Sequence, residues 1–299
     1  MQQYTREIQR SFQTGPHAEL GLRLGNGAVR LCGEDRQDVT VFARATFLAE
    51  SDEAAAAVVR ALEAGFRQDG SHLRAHLPDI DGGLLSNLLR GPIGEGGRLE
   101  VDLEVAAPHD TSAEVHVVNG HVAARGISGD STIHIVNGPL ELEDIGGEVT
   151  VRLINGRASL LRIGGDVSVT LTSGPLRIEG AAGDVNFAVV NAQVSVTDPD
   201  ADVSGRAVNG TIELTGRITG DVSLENAHGS IVLNAPADSR FELDATSQLG
   251  SVDSELSVRD ESHGHGGHLP SVSLRSQTGN ISLRALDPAG ATQTPAQPV

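Results

Sequence analysis

Glycine recurs every nine residues through the middle of this chain, at positions 120, 129, 138, 147, 156, 165, 174 and 183. Ala192 and Ala201 keep the register without glycine, Gly210 resumes it, and a one-residue slip moves the next markers to Gly220 and Gly229. Alternate units differ in kind. One corner carries an amide slot, filled by Asn119, Asn137, Asn155, Ser173, Asn191 and Asn209. The other carries an acid directly after the glycine: Asp130, Glu148, Asp166, Asp184, Asp202 and Asp221. The full period is therefore about 18 residues, with two different corners, and a fixed period of this size marks a repeat architecture.

Between corners the pattern alternates strictly. Val149, Val151 and Leu153 share one side of a segment, as do Val167, Val169 and Leu171, and then Val185, Phe187 and Val189. A period of two belongs to a strand with one buried side. The expected fold is all-β: a parallel β-solenoid (β-helix) with an 18-residue coil, plus one N-terminal amphipathic capping helix. Stacked coils would bring equivalent residues to about 4.8 Å. The amide slot would then form a structural ladder, and the corner glycines would supply backbone angles closed to other residues.

The chain divides on this pattern into five stretches. Residues 1–17 read as a disordered or extended N-terminus, 18–110 as N-terminal strands, helix and cap, and 111–234 as the regular repeat. Residues 235–286 read as C-terminal strands and cap, and 287–299 as a disordered tail. In the second stretch, "SDEAAAAVVRALEAGFRQDG" has Ser51 as N-cap and Asp52 and Glu53 in the first turn. Ala55, Val58, Val59, Leu62 and Phe66 lie on one face.

Composition removes several classes of function. The formal charge is −18, which repels nucleic acid and anionic lipid. All 22 basic residues are Arg, so there is no Schiff-base or phosphate-loop lysine. Aromatic residues make up only 2% of the chain, too few for a base-stacking or sugar-stacking platform. The single cysteine, Cys32, cannot form an intrachain disulfide and reads as a buried structural thiol. The first fifteen residues lack an apolar signal-peptide core, and no stretch approaches the roughly 20 apolar residues of a membrane span, so a cytoplasmic location is expected. Envelope association would then need a partner.

Four groups of residues are candidates for binding. His263, His265 and His268 lie within six residues and could hold a transition metal. The acid ladder Asp130, Glu148, Asp166, Asp184, Asp202 and Asp221 could be bridged by calcium. It departs from the calcium-binding nonapeptide G-G-x-G-x-D-x-U-x, because only alternate units carry an acid and the second spaced glycine is missing. Leu84, Leu85, Leu88 and Leu89 form an apolar cluster in a glycine-flanked excursion, a candidate partner contact and a candidate site of peripheral membrane contact. His116 and His134 stand one period apart on an outward column continued by Arg152 and Thr170, and read as a solvated polar face. No catalytic residues are assigned. Nucleophile elbows and zinc-protease helices are absent from the sequence, and nearly insertion-free repeats leave no wall for a polysaccharide cleft.

The run "VVNG…GISGD…IVNG…IGGE…LINGRASLLRIGGDVSV", with the late "TSQLGSV…VSLRSQTGNISLRAL", resembles the bacterial "putative adhesin" family of β-strand-repeat proteins, a domain of unknown function. The resemblance spans roughly residues 18–286. It implies the repeat architecture and, from the family label, surface exposure; it carries no catalytic residues. The functional expectation is a non-enzymatic structural or interaction scaffold, working with a protein partner or by self-association and without a cofactor. An envelope- or surface-associated adhesin-like protein is the alternative, and a polysaccharide-active enzyme comes third.

Overall fold

The computed structural model describes residues 2–77, 99–256 and 269–286. The N-terminal part holds β1 (Gln2–Gln13), β2 (Ala18–Asn26), β3 (Val29–Glu34), β4 (Asp38–Ala49), α1 (Asp52–Ala64), β5 (Phe66–Asp69), β6 (His72–His76) and β7 (Leu99–Pro108). The central part runs β8 (Thr111–Asn119), β9 (Val122–Ile127), β10 (Ser131–Asn137), β11 (Leu140–Ile145), β12 (Val149–Asn155), β13 (Ala158–Ile163), β14 (Val167–Ser173), β15 (Leu176–Ala181), β16 (Val185–Thr197) and β17 (Val203–Thr215). The last strands are β18 (Val222–His228), β19 (Ile231–Pro236), β20 (Glu242–Ser247), β21 (Val252–Ser254), β22 (Ser271–Thr278) and β23 (Ile281–Leu286).

The expected parallel β-solenoid with a helical cap is corrected by this topology. The described strands form one mixed 23-stranded sheet, which curls round its core until it nearly closes into a barrel. Three of its pairings are antiparallel: β1 with β4, β4 with β7, and β5 with β6. Residues 1–17, expected as a disordered or extended N-terminus, supply β1, which is zipped along β4 from Gln2 opposite Ala49 to Gln13 opposite Asp38. Alternating apolar residues specify a strand and its buried side but not its partner. The direction of pairing at the N-terminal end was therefore open to the antiparallel choice.

In the central part the pairing is parallel, and neighbours stand 18 residues apart. Val115, Ile133, Val151, Val169 and Phe187 succeed one another, as do Ala124, Leu142, Leu160 and Ile178 on the opposite side. The side chains named in the alternating segments all point inward and are buried. Between β17 and β18 the offset becomes 19, with Val203 opposite Val222. The extra residue lies in the 216–221 corner, where Ile218 turns into the core. At the amide corner, Gly138 has φ +137° and Gly156 φ +156°, and a Cβ on either would collide with the backbone carbonyl of the glycine one circuit earlier. At two later corners β16 runs unbroken through Ala192 and β17 through Gly210, each for 13 residues.

At both ends the chain order is interleaved. β2 and β3 pair with β8 and β9, so the strands between them in sequence, β4 to β7, lie elsewhere in the sheet. β6 and β7 lie on the outer side of β2 and β3. At the other end, β22 and β23 insert between β18/β19 and the earlier β20/β21. The helix rests against β1, β4 and β5 rather than on the first parallel circuit. Ser51 Oγ accepts the Ala54 N–H at 3.2 Å, and Ala55, Val58, Ala61 and Leu62 are its buried face. The helix ends at Ala64, and Phe66 belongs to β5. Cys32 is half-buried rather than buried, with Arg125 Nε donating toward its Sγ at 3.4 Å.

Candidate interaction surface

The strands of the first ladder (β2, β8, β10, β12, β14, β16, β17, β18) turn their alternate residues outward, and this face carries three columns. The first is polar and mostly uncharged: Glu114, Thr132, Thr150, Ser168, Asn186, Ser204 and Ser223. The second contains His116, His134, Arg152, Thr170, Ala188, Arg206 and Glu225. The third is apolar at most rungs and stands beside the amide corner: Val118, Val136, Ile154, Thr172, Val190, Val208 and Ala227. The valines and Ile154 of this column are 36% to 46% exposed. A column of β-branched residues in solvent is the part of the face that a solvated wall has no need of.

The amides beside this column are linked rung to rung. Asn119 Nδ2 donates to Asn26 Oδ1 at 2.9 Å, Asn137 to Asn119 at 2.8 Å, and Asn155 to Asn137 at 3.0 Å. Asn209 donates to Asn191 at 2.9 Å. Ser173 separates the two runs because its hydroxyl is too short to span a rung. The line continues past Asn209 with His228, whose Nδ1 lies 2.8 Å from Thr278 Oγ1.

The acid ladder stands at the other edge of the same face, and its aspartates are engaged with the backbone. Asp130 Oδ1 accepts the Glu148 N–H at 2.9 Å, Asp166 the Asp184 N–H at 2.9 Å, and Asp184 the Asp202 N–H at 3.2 Å. Asp202 accepts the Asp221 N–H at 2.8 Å, and Asp221 accepts the Ser271 N–H at 2.8 Å. Among the described residues no three His, Cys, Asp or Glu side chains converge as metal ligands. His263, His265 and His268 lie outside the described residues, as do Leu84, Leu85, Leu88 and Leu89.

His116 and His134 stack with ring centroids 4.6 Å apart. His116 Nε2 lies 2.7 Å from Glu114 Oε1, and that hydrogen bond holds the Glu114 carboxyl below the usual range. Burial pushes the His134 pKa down, and the neighbouring His116 and Arg152 add to the shift. Spacing in the sequence predicted the stacked pair. The Glu114 partner is local, two residues back on the same strand, and was legible only once both side chains were known to face outward.

A groove of about 820 Å³ opens at the C-terminal half of this face. Its floor is Ala188, Val190, Val208 and Ala227, and its sides include Thr170, Gln248 and Gln277. Two ion pairs stand on it: Arg206 with Glu225 at 3.1 Å, and Arg275 with Asp244 at 3.3 Å. These pairs are exposed and charge-balanced, so the groove is locally neutral in a strongly acidic chain. The groove went unread in the sequence because β20 and β22 reach it from far along the chain. The apolar column was legible there: the residue before each corner amide is Val118, Val136, Ile154, Val190 or Val208 at five rungs. A second, polar depression of about 350 Å³ lies where Gly21 leaves a gap among Glu19, His72, Arg74 and Glu114.

No family model matches the chain, and no curated protein matches it. Solved structures similar to it at low identity include the following three. A "putative cell adhesion protein" from Clostridium sporogenes is 10% identical, with 95% of this chain and 100% of that one covered and a TM-score of 0.26. A "putative adhesin" from Bacteroides fragilis is 11% identical, covering 94% and 97%, with a TM-score of 0.33. A "putative lipid binding protein" from Parabacteroides distasonis is 12% identical, covering 92% and 96%, with a TM-score of 0.38. TM-scores this low carry no argument about the activity of this chain.

Proposed function

We propose that this chain is a non-enzymatic interaction protein whose outward β8–β18 face is the working surface. The observation that carries the reading is the exposed apolar column Val118, Val136, Ile154, Val190 and Val208, continuous with the neutral groove floored by Ala188 and Ala227. An apolar strip of this length excludes water when a partner covers it, and the polar residues on both sides form a rim that keeps the free protein in solution. The four charged groups that line the groove are exposed and paired with each other, and they are not set as a general acid and base across a cleft. Adhesin-like attachment is the form of this reading to which the repeat resemblance points.

Biolayer interferometry of the immobilised protein against purified polysaccharides, mucin and matrix proteins tests the proposal. Binding without turnover is expected, and it should disappear in a folded Val190→Asp/Val208→Asp variant. Release of product from any glycan, or equal binding by the variant, would overturn it.

A further inference from the structure

The partner on this face can be narrowed by geometry and charge. The apolar column repeats once per strand-to-strand step, about 4.8 Å. An α-helix laid along it would present side chains at its own pitch of about 5.4 Å, and an extended peptide at about 6.6 Å for alternate residues. Both drift out of step within a few rungs. A second copy of the same column stays in step along its whole length, as facing sheets do when identical side chains interdigitate.

The distribution of charge allows that approach. The chain carries −18, but the two carboxylates that line the groove beside this column, Glu225 and Asp244, are each paired with an arginine. Asp166 and Thr172 begin and end one strand crossing of the face, six residues apart, or about 20 Å of extended chain. That is about two and a half times the Debye length at physiological salt, near 8 Å, so the acid ladder is largely screened at the apolar column. The flanking amide ladder is uncharged. The positions just after the corner glycine, His121, Pro139, Arg157, Pro175, Gln193 and Thr211, contain no carboxylate.

We infer that two copies of this chain associate side by side through the Val118–Val208 column, related by a two-fold axis. This rests on the same face as the proposed function and names its first partner. A two-fold arrangement presents the same patch from each copy and closes on itself, so it gives a dimer rather than a filament. A strip only about 24 Å long covers less area than a standard interface, so the dimer forms at micromolar concentration and above.

Sedimentation equilibrium of the full chain from about 1 to 300 µM tests this. The weight-average mass should rise from 31.0 kDa toward twice that value. An Ile154→Thr/Val190→Thr/Val208→Thr variant should stay monomeric; it should fold, because Thr172 already occupies a rung of the column. Leu161→Thr, on the opposite face, should dimerise like the parent. Raising sodium chloride tenfold should strengthen association by screening the charge of each copy. A parent that stays monomeric, a triple variant that still dimerises, a Leu161→Thr variant that does not, or dimers that weaken in salt would each overturn the inference. The two proposals separate cleanly. A monomeric parent whose ligand binding still fails in the Val190→Asp/Val208→Asp variant loses the dimer and keeps the function. A dimer without any ligand does the reverse.

Discussion

The ring of Phe187 fills the space that a side chain at Gly205 would need: the two residues are opposite each other on β16 and β17, and a Cβ at Gly205 would lie only 2.0 Å from the Phe187 Cζ. The rungs on either side, Val115 to Val169 and Leu224 to Leu274, carry valine, isoleucine or leucine, so one large and one absent side chain share a two-rung volume. Phe187 is 4% exposed. Phe187→Ala should therefore cost about 3–5 kcal/mol. Gly205→Ala should cost about 1–3 kcal/mol in the parent and much less when combined with Phe187→Ala. Urea denaturation of the two single variants and the double variant measures the coupling; additive costs would show that the residues do not share that space.

The acid ladder predicts a stabilising substitution. Each Asp rung accepts the backbone N–H of the following rung, whereas Glu148, one methylene longer, makes no such bond to Asp166; its recorded partner is the Thr150 hydroxyl at 3.5 Å. Glu148→Asp should restore the missing bond and stabilise by about 0.5–1.5 kcal/mol. Thermal unfolding should show a raised Tm, and an unchanged or lowered Tm would mean that the ladder geometry differs at that rung.

The same bonds bear on calcium. One oxygen of each Asp rung is committed to an amide, and the side chains run in single file rather than converging. Calcium requires six to eight oxygens around one point. The melting temperature should be the same in millimolar calcium and in EDTA; a rise of several degrees with calcium would show that the ladder rearranges to bind it.

His134 predicts a pH response. Its folded pKa is depressed by burial and by His116 and Arg152, with Glu114 opposing. Between the folded pKa and the unfolded value near 6.5, the unfolded chain binds the extra proton, so stability rises with pH through that window. Above about 6.5 the penalty is absent, and as pH falls below it stability is lost. His134→Gln should flatten this limb of the stability–pH curve measured by denaturant titration between about pH 5 and 7. An unchanged limb would assign it to other groups.

The difference between what was and was not legible follows the range of each interaction. The inward set (Val149, Val151, Leu153 and their equivalents), the 18-residue offset and the slip before Gly220 all depend on residues close in sequence or on strict periodicity. Such patterns survive reading in one dimension. The amide bonds from Asn26 through Asn155 follow from the same register. The antiparallel zipper of β1 on β4 could not be read this way, since Ile8 and Ala43 each sit inward between outward-facing neighbours just as they would in a parallel pair. The insertion of Val272 and Leu274 between the strands of Leu224 and of Leu243 was equally hidden, because nothing local tells a returning strand which edge is free.

By itself, then, the sequence determined the strands, their buried sides and the stacking of like on like through the centre, because alternation and glycine spacing act rung by rung. Only the tertiary structure decided the mixed sheet and its near closure, the helix resting on β1, β4 and β5, and the groove where β14, β16, β17, β18, β20 and β22 meet. Those features depend on which sheet edges remain unpaired after the central strands have stacked. An unpaired edge offers its backbone N–H and C=O groups to whatever segment can reach it in either direction.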